Sequence, residues 1–112
     1  MNLRWSTPIR LKDFERAPRE NGLFQVGLLR VQMFDPKYIG RAIGAERTIR
    51  QRLGILFAGQ GVSQITVASR DNLFCRWFVT EDLEGAGGDL LKRYGIGILQ
   101  QFVWNTKKDG ID

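Results

Sequence analysis

The chain has no histidine, and this absence limits the chemistry that its side chains can perform. A Ser-His-Asp triad, a Cys-His dyad and any metal site built on imidazole are excluded. Proton transfer would have to come from tyrosine, lysine, aspartate or glutamate. A tyrosine, whose ordinary pKa is about 10, becomes an effective base only where a metal ion or a cation lowers that pKa. The residue types therefore leave proton transfer to these four kinds of side chain, and a tyrosine could act as a base only with a metal ion or a cation beside it.

Arginine dominates the charge of the sequence. Seventeen Lys and Arg stand against twelve Asp and Glu, which gives a net charge of +5, and twelve of the seventeen cations are arginine. The planar guanidinium matches phosphate oxygens better than the point charge of lysine does. Nucleic acid is the natural partner of such a chain, although many basic domains of this size bind no particular anion. Charge alone leaves both a nucleic-acid-binding domain and a basic interaction domain open.

Length and composition predict one compact domain. The sequence has 112 residues, of which 43% are hydrophobic, enough for a single core. Its one cysteine, Cys75, lies in the apolar run 73–79, which predicts a buried structural thiol and a reducing compartment. No apolar run approaches the roughly 20 residues of a membrane span, and the first residues have no apolar signal core. We therefore expect a soluble, cytoplasmic protein with no membrane partner.

Hydrophobic periodicity and turn residues predict an α/β domain with a small twisted sheet, mixed but largely antiparallel, flanked by helices. Gly27 indicates a bulge or a close backbone approach in the first strand, and Asp35-Pro36 predicts the turn of an antiparallel hairpin. The first helix should bury a stripe that includes Ile49 and Leu53. The predicted segments, in chain order, are an N-terminal extension over 1–21, strands over 23–31 and 37–41, a helix over 46–58, an extended segment over 63–69, a strand over 72–80, a helix over 89–94 and a C-terminal tail over 106–112.

Two short motifs in the predicted hairpin carry the most specific signal. Gly22-Leu23-Phe24 is followed sixteen residues later by Tyr38-Ile39-Gly40, then by an arginine-bearing helix and by a tryptophan-asparagine pair that ends at Asn105. In this order the motifs resemble those of the GIY-YIG nucleases, across residues 22–105. The resemblance implies a GIY-YIG-like fold and a Mg²⁺-dependent endonuclease that hydrolyses DNA phosphodiester bonds.

The resemblance also implies a role for each motif residue. Tyr38 would activate the attacking water, Arg52 would hold the scissile phosphate and offset its developing charge, and Asn105 would support the geometry. Phe24 keeps the ring of the family's first tyrosine and lacks its hydroxyl, so we interpret it as structural. The plainer alternative for Tyr38 is a strand tyrosine with a buried ring. We expect Tyr38, Arg52 and Asn105 to converge on one basic surface. The residues predicted to bind nucleic acid around it are Arg41, Arg47, Arg50, Lys107 and Lys108.

The metal ligand is where the sequence departs from the family. Counting back three residues from Leu90 places the family's glutamate at Gly87, which offers no carboxylate. Either Glu84 reaches the ion from a loop, or the ligand has been replaced. Replacement would weaken Mg²⁺ binding sharply, because that ion is commonly held by only one or two carboxylates. The alternative function is then a catalytically silent nucleic-acid-binding module. In both cases specificity would come from dimerisation, from loops of the domain or from a partner protein.

Overall fold

The fold is described by a computed structural model for residues 5–58 and 72–80. In chain order its elements are β1 (Ile9–Arg10), a 3-10 helix (Leu11–Arg16), β2 (Gly22–Arg30), β3 (Met33–Ala42), α1 (Ile49–Phe57) and β4 (Leu73–Val79). The strands form one sheet in the order β1-β4-β2-β3, and each of these described pairings is antiparallel. The predicted α/β class and the largely antiparallel sheet are confirmed at this level. The predicted segments over 63–69 and 89–94 lie outside the described residues.

The β2–β3 hairpin turns at Val31 and Gln32. Both residues have positive φ, 51° and 63°, as a tight two-residue hairpin loop requires. The turn predicted at Asp35-Pro36 is therefore wrong. Pro36 lies inside β3, which is the edge strand among the strands described, and a residue without an N–H is tolerated at an edge. As a result β3 begins at Met33, before the predicted turn.

The predicted irregularity at Gly27 is confirmed. The register between β2 and β3 shifts between Val26 and Gly27, which marks a β-bulge or a similar irregularity. A Cβ atom at Gly27 would overlap the backbone carbonyl of Asp35, so the close approach of the two strands requires glycine. Beyond this irregularity Val26 lies opposite Tyr38, which sets the face of the sheet on which Tyr38 lies.

Helix α1 packs against one face of the sheet. It begins after Thr48, whose side chain accepts the Gln51 N–H, while the Gln51 side chain accepts the Thr48 N–H. This capping box satisfies two donors at the helix end and explains why the helix begins at Ile49 and not at residue 46. Ile49 and Leu53 are fully buried, which confirms the predicted apolar stripe.

The predicted N-terminal extension contributes to the sheet and the core. Ile9 of β1 lies opposite Cys75 of β4, and Leu11 and Ala17 are fully buried. A two-residue strand and a short 3-10 helix are too brief to produce a hydrophobic period, so hydrophobic periodicity does not predict them. Within residues 5–58 and 72–80, no helix has the length and apolar character needed to span a membrane.

Cys75 lies at the centre of this core. Its side chain is fully buried between β1 and β2, its two neighbours in the sheet. Burial, with a smaller contribution from the charge of Asp13, raises the pKa of the Cys75 thiol to about 12. The predicted structural role is confirmed, since a thiol with this pKa stays protonated and unreactive near neutral pH.

Candidate functional site on the hairpin and helix α1

The two hairpin motifs lie side by side in the sheet. Phe24 is opposite Gly40, and Val26 is opposite Tyr38. Because side chains alternate across a strand, Phe24, Gly40 and Tyr38 share one face. That face is the one covered by α1, since Phe24 and Tyr38 belong to the same core cluster as Leu53. The register thus gathers both motifs beneath the helix.

Gly40 allows the Phe24 ring to lie across the neighbouring strand. A Cβ atom at position 40 would overlap three atoms of that ring. Phe24 is itself fully buried, with Trp77 of β4 opposite it on the other side. The glycine of the second motif therefore has a packing reason, which is to leave room for the aromatic residue of the first motif.

The Arg52 side chain extends from α1 to the Phe24 ring. Its Cζ atom lies 5.7 Å from the centroid of the Phe24 ring, and the centroids of the Phe24 and Tyr38 rings are 6.1 Å apart. The arginine is half-buried. In the described part of the chain its guanidinium has no carboxylate partner and no hydrogen-bond acceptor. Within residues 5–58 and 72–80, its charge is therefore held beside the Phe24 ring and is not neutralised.

Tyr38 is enclosed at this point of the structure. Only 2% of the residue is exposed. A base that activates water must be reached by that water, and the enclosed position also suits the plainer role of a core tyrosine. The structure brings Tyr38 and Arg52 to a common ring, while the solvent access that catalysis requires is closed.

The predicted ring of cations is divided between different surfaces. Arg47 is exposed just before α1. The Nε atom of Arg50 donates a 2.7 Å hydrogen bond to the carbonyl of Ala17, which ties this side chain to the loop before β2. Arg41 lies opposite Leu23, one residue out of phase with Phe24, so its side chain lies on the other face of the sheet from Tyr38.

The remaining predicted site residues fall outside residues 5–58 and 72–80. They are Glu84, Gly87, Asn105, Lys107 and Lys108. Among the residues that the structure does describe, no three Asp, Glu, Cys or His side chains form a group that could hold a metal ion.

A second arginine cluster, which the sequence motifs did not predict, lies on the opposite face. The Arg76 Nε donates a 2.6 Å hydrogen bond to the Gln25 side chain, and its Cζ lies 5.0 Å from the Trp5 ring and 4.8 Å from the Phe34 ring. Gln25 is only 2% exposed, so it needs such a partner. A glutamine between the apolar residues of a strand was the available signal. These contacts hold the Arg76 side chain on the second face of the sheet.

Comparison with protein-family models, with curated proteins and with solved structures finds no match for this chain.

Proposed function

We propose that this protein binds nucleic acid through the face formed by the hairpin and α1, and that it acts as a Mg²⁺-dependent endonuclease on DNA. The observation that carries the proposal is the arrangement of Arg52. It is half-buried against Phe24, 5.7 Å from the ring centroid, and has no carboxylate partner in the described residues. The Tyr38 ring packs near the same Phe24 ring, which supports a common site for Tyr38 and Arg52.

An unneutralised guanidinium in a half-buried position favours an anion as its ligand. Taking a cation partly out of water costs free energy unless a negative group compensates it. Arginine side chains do bury their stems routinely, so burial of the stem alone decides nothing. The guanidinium here is held at its head, beside a buried ring, and its N–H donors have no protein acceptor in the described residues. A phosphate oxygen would satisfy both the charge and those donors.

A second candidate, nucleic-acid binding without cleavage, is favoured by two observations. The position of the expected metal ligand is Gly87, which has no carboxylate. Tyr38 is enclosed, with 2% of its surface exposed. Both features count against cleavage, and neither affects binding by Arg52.

For the endonuclease, a bound Mg²⁺ would polarise the phosphate and activate water, and Glu84 is the side chain that would hold the ion.

Plasmid nicking and DNA binding together test the proposal. Supercoiled plasmid is incubated with the protein in Mg²⁺ and in EDTA, and duplex binding is measured separately without a divalent ion. Arg52→Gln removes the charge at similar size and should weaken binding and abolish nicking. Tyr38→Phe removes one oxygen, so it should abolish nicking and leave binding intact. Arg16→Gln, at an exposed arginine of the 3-10 helix, is the matched control.

The outcomes separate three functions. Nicking that needs Mg²⁺ and is lost in Arg52→Gln supports the endonuclease. Salt-sensitive binding without nicking supports the silent module. Absence of duplex binding even at low ionic strength would overturn both, and a basic interaction domain with no nucleic-acid role would stand in their place.

A further inference from the structure

We propose that Phe24 is the positioning residue for Arg52, and that it holds the guanidinium with its ring so that the N–H donors stay available for phosphate. The proposal rests on the proposed function for the identity of the anion. Its geometric part stands on the described contacts alone. Phe24 lacks the hydroxyl of the family's first tyrosine, and it would contribute to the same site by orienting Arg52.

The contact has the distance that a cation–π interaction requires. The Arg52 Cζ lies 5.7 Å from the Phe24 ring centroid, within the range of about 6 Å in which a ring attracts a cation. Phe24 is fully buried, so little water screens the contact on the ring side. In the described residues nothing else holds the Arg52 head by a hydrogen bond or an ion pair.

A ring positions an arginine differently from a carboxylate. A carboxylate would neutralise the charge and occupy two of the five N–H donors of the guanidinium, which leaves fewer for a phosphate. An aromatic ring attracts the cation through its π electrons and leaves the net charge unchanged. A site that must accept an anion gains from this arrangement, because its cation is ordered and still charged before the ligand arrives.

Gly40 leaves the space that the Phe24 ring occupies when it holds Arg52. A Cβ atom at position 40 would overlap the Phe24 ring, so the ring can occupy its place only over a glycine. The Tyr38 ring, with its centroid 6.1 Å away, packs on the same side. The position of Arg52 therefore depends on both hairpin motifs, through one aromatic side chain.

Ring fluorination tests the proposal without changing the fold. Phe24 is replaced in the full chain by phenylalanine carrying one, two or three fluorines, which withdraw π electrons stepwise at nearly constant size. The affinity for a DNA duplex should fall with each fluorine, by about two- to thirtyfold over the series. Phe14, which packs against the Phe57 ring, receives the same fluorines as the matched control and should leave affinity unchanged.

A second measurement does not depend on DNA. The Arg52 Nε–Hε signal in an NMR spectrum, identified by its loss in Arg52→Lys, should be displaced by the Phe24 ring current and should move in Phe24→Leu. An Arg52 signal that is indifferent to Phe24→Leu overturns the proposal. So does a duplex affinity that is equal across the Phe24 series. Absence of duplex binding by the unmodified protein, with a displaced Arg52 signal, would instead refute the proposed function and keep the contact.

Discussion

A single methyl group added at Gly40 would disturb the packing of the candidate site. We expect Gly40→Ala to lower the free energy of unfolding by about 1–3 kcal/mol, because the new Cβ would force the buried Phe24 ring out of its position. Urea denaturation measures the loss. In a Phe24→Leu background the smaller side chain leaves room, so the same glycine substitution should cost clearly less. Equal costs in the two backgrounds would show that Gly40 is needed for another reason.

A single substitution tests the predicted metal-ligand position, Gly87, which has no carboxylate. If Gly87 stands where a carboxylate would hold Mg²⁺, Gly87→Glu should raise Mg²⁺-dependent nicking from a low level, because it restores a hard oxygen ligand. If Glu84 holds the ion, the unaltered chain is active and Glu84→Gln abolishes nicking. Plasmid nicking over a range of Mg²⁺ concentrations distinguishes the two. Strong cleavage that is unaffected by either substitution would place the metal site elsewhere.

The Cys75 thiol makes stability depend on alkaline pH. Below about pH 9 the thiol is protonated in both states, but between about pH 9 and 12 it ionises only in the unfolded chain, because burial raises its folded pKa to about 12. The unfolded state then binds fewer protons, so Cys75 should lower the free energy of unfolding by about 1.4 kcal/mol per pH unit in that range. Urea denaturation of Cys75→Ala should show a shallower alkaline decline. The same slope in both proteins would contradict the buried thiol.

At the scale of elements, the hairpin turn carries a cost that substitution should remove. Val31 has φ of 51° and is 95% exposed, so a β-branched side chain occupies a left-handed conformation and gains nothing from burial. Asn-Gly is the preferred pair for this turn. Val31→Asn with Gln32→Gly should raise the melting temperature, with a gain of about 1–2 kcal/mol in the free energy of unfolding.

A matched control for the turn is Val79→Asn. Val79 is a partly exposed valine in β4 that has no positive φ. The same change of side chain there should be neutral or destabilising, because valine favours a strand. Stabilisation at position 79 as large as that at the turn would mean that the effect comes from a more polar surface and not from the backbone conformation.

The elements also show how far the sequence could predict the fold. The helix and the strand near residue 75 were predictable because their apolar residues repeat over two or more turns or pleats. The hairpin turn was not, since Asp35-Pro36 is the stronger turn signal, and Pro36 stays in a strand because β3 is at the edge of the described sheet and Pro36 lies at the register shift. For the site, the motifs predicted that Tyr38, Arg52 and Asn105 converge on one basic surface, and Asn105 lies outside the described residues. They did not predict that both side chains would lie near the Phe24 ring, because that depends on sheet register and helix packing together.

At the scale of the whole molecule, the chain has a net charge of +5, and arginines in its described part lie on both faces of the sheet. Arg52 of α1 lies on the face of the sheet that carries Tyr38, whereas Arg41 and the Arg76 cluster lie on the opposite face. A net charge attracts a polyanion without orienting it. In the proposed complex with DNA, the face that meets the phosphates would therefore be decided by single arginines on each side and not by the total charge.

The salt dependence of duplex binding identifies that face. Each phosphate contact contributes about 0.9 to the slope of log affinity against log salt concentration, because one condensed counterion is released. Arg52→Gln should therefore lower affinity and reduce the slope by about 0.9. Arg41→Gln removes the same charge from the other face and should leave the slope unchanged, although the sequence alone predicts Arg41 as a contact. Fluorescence anisotropy with one short duplex at four or more salt concentrations measures both. If Arg41→Gln reduced the slope while Arg52→Gln did not, DNA would lie on the face opposite Tyr38, and the hairpin motifs would then serve the fold and not the reaction.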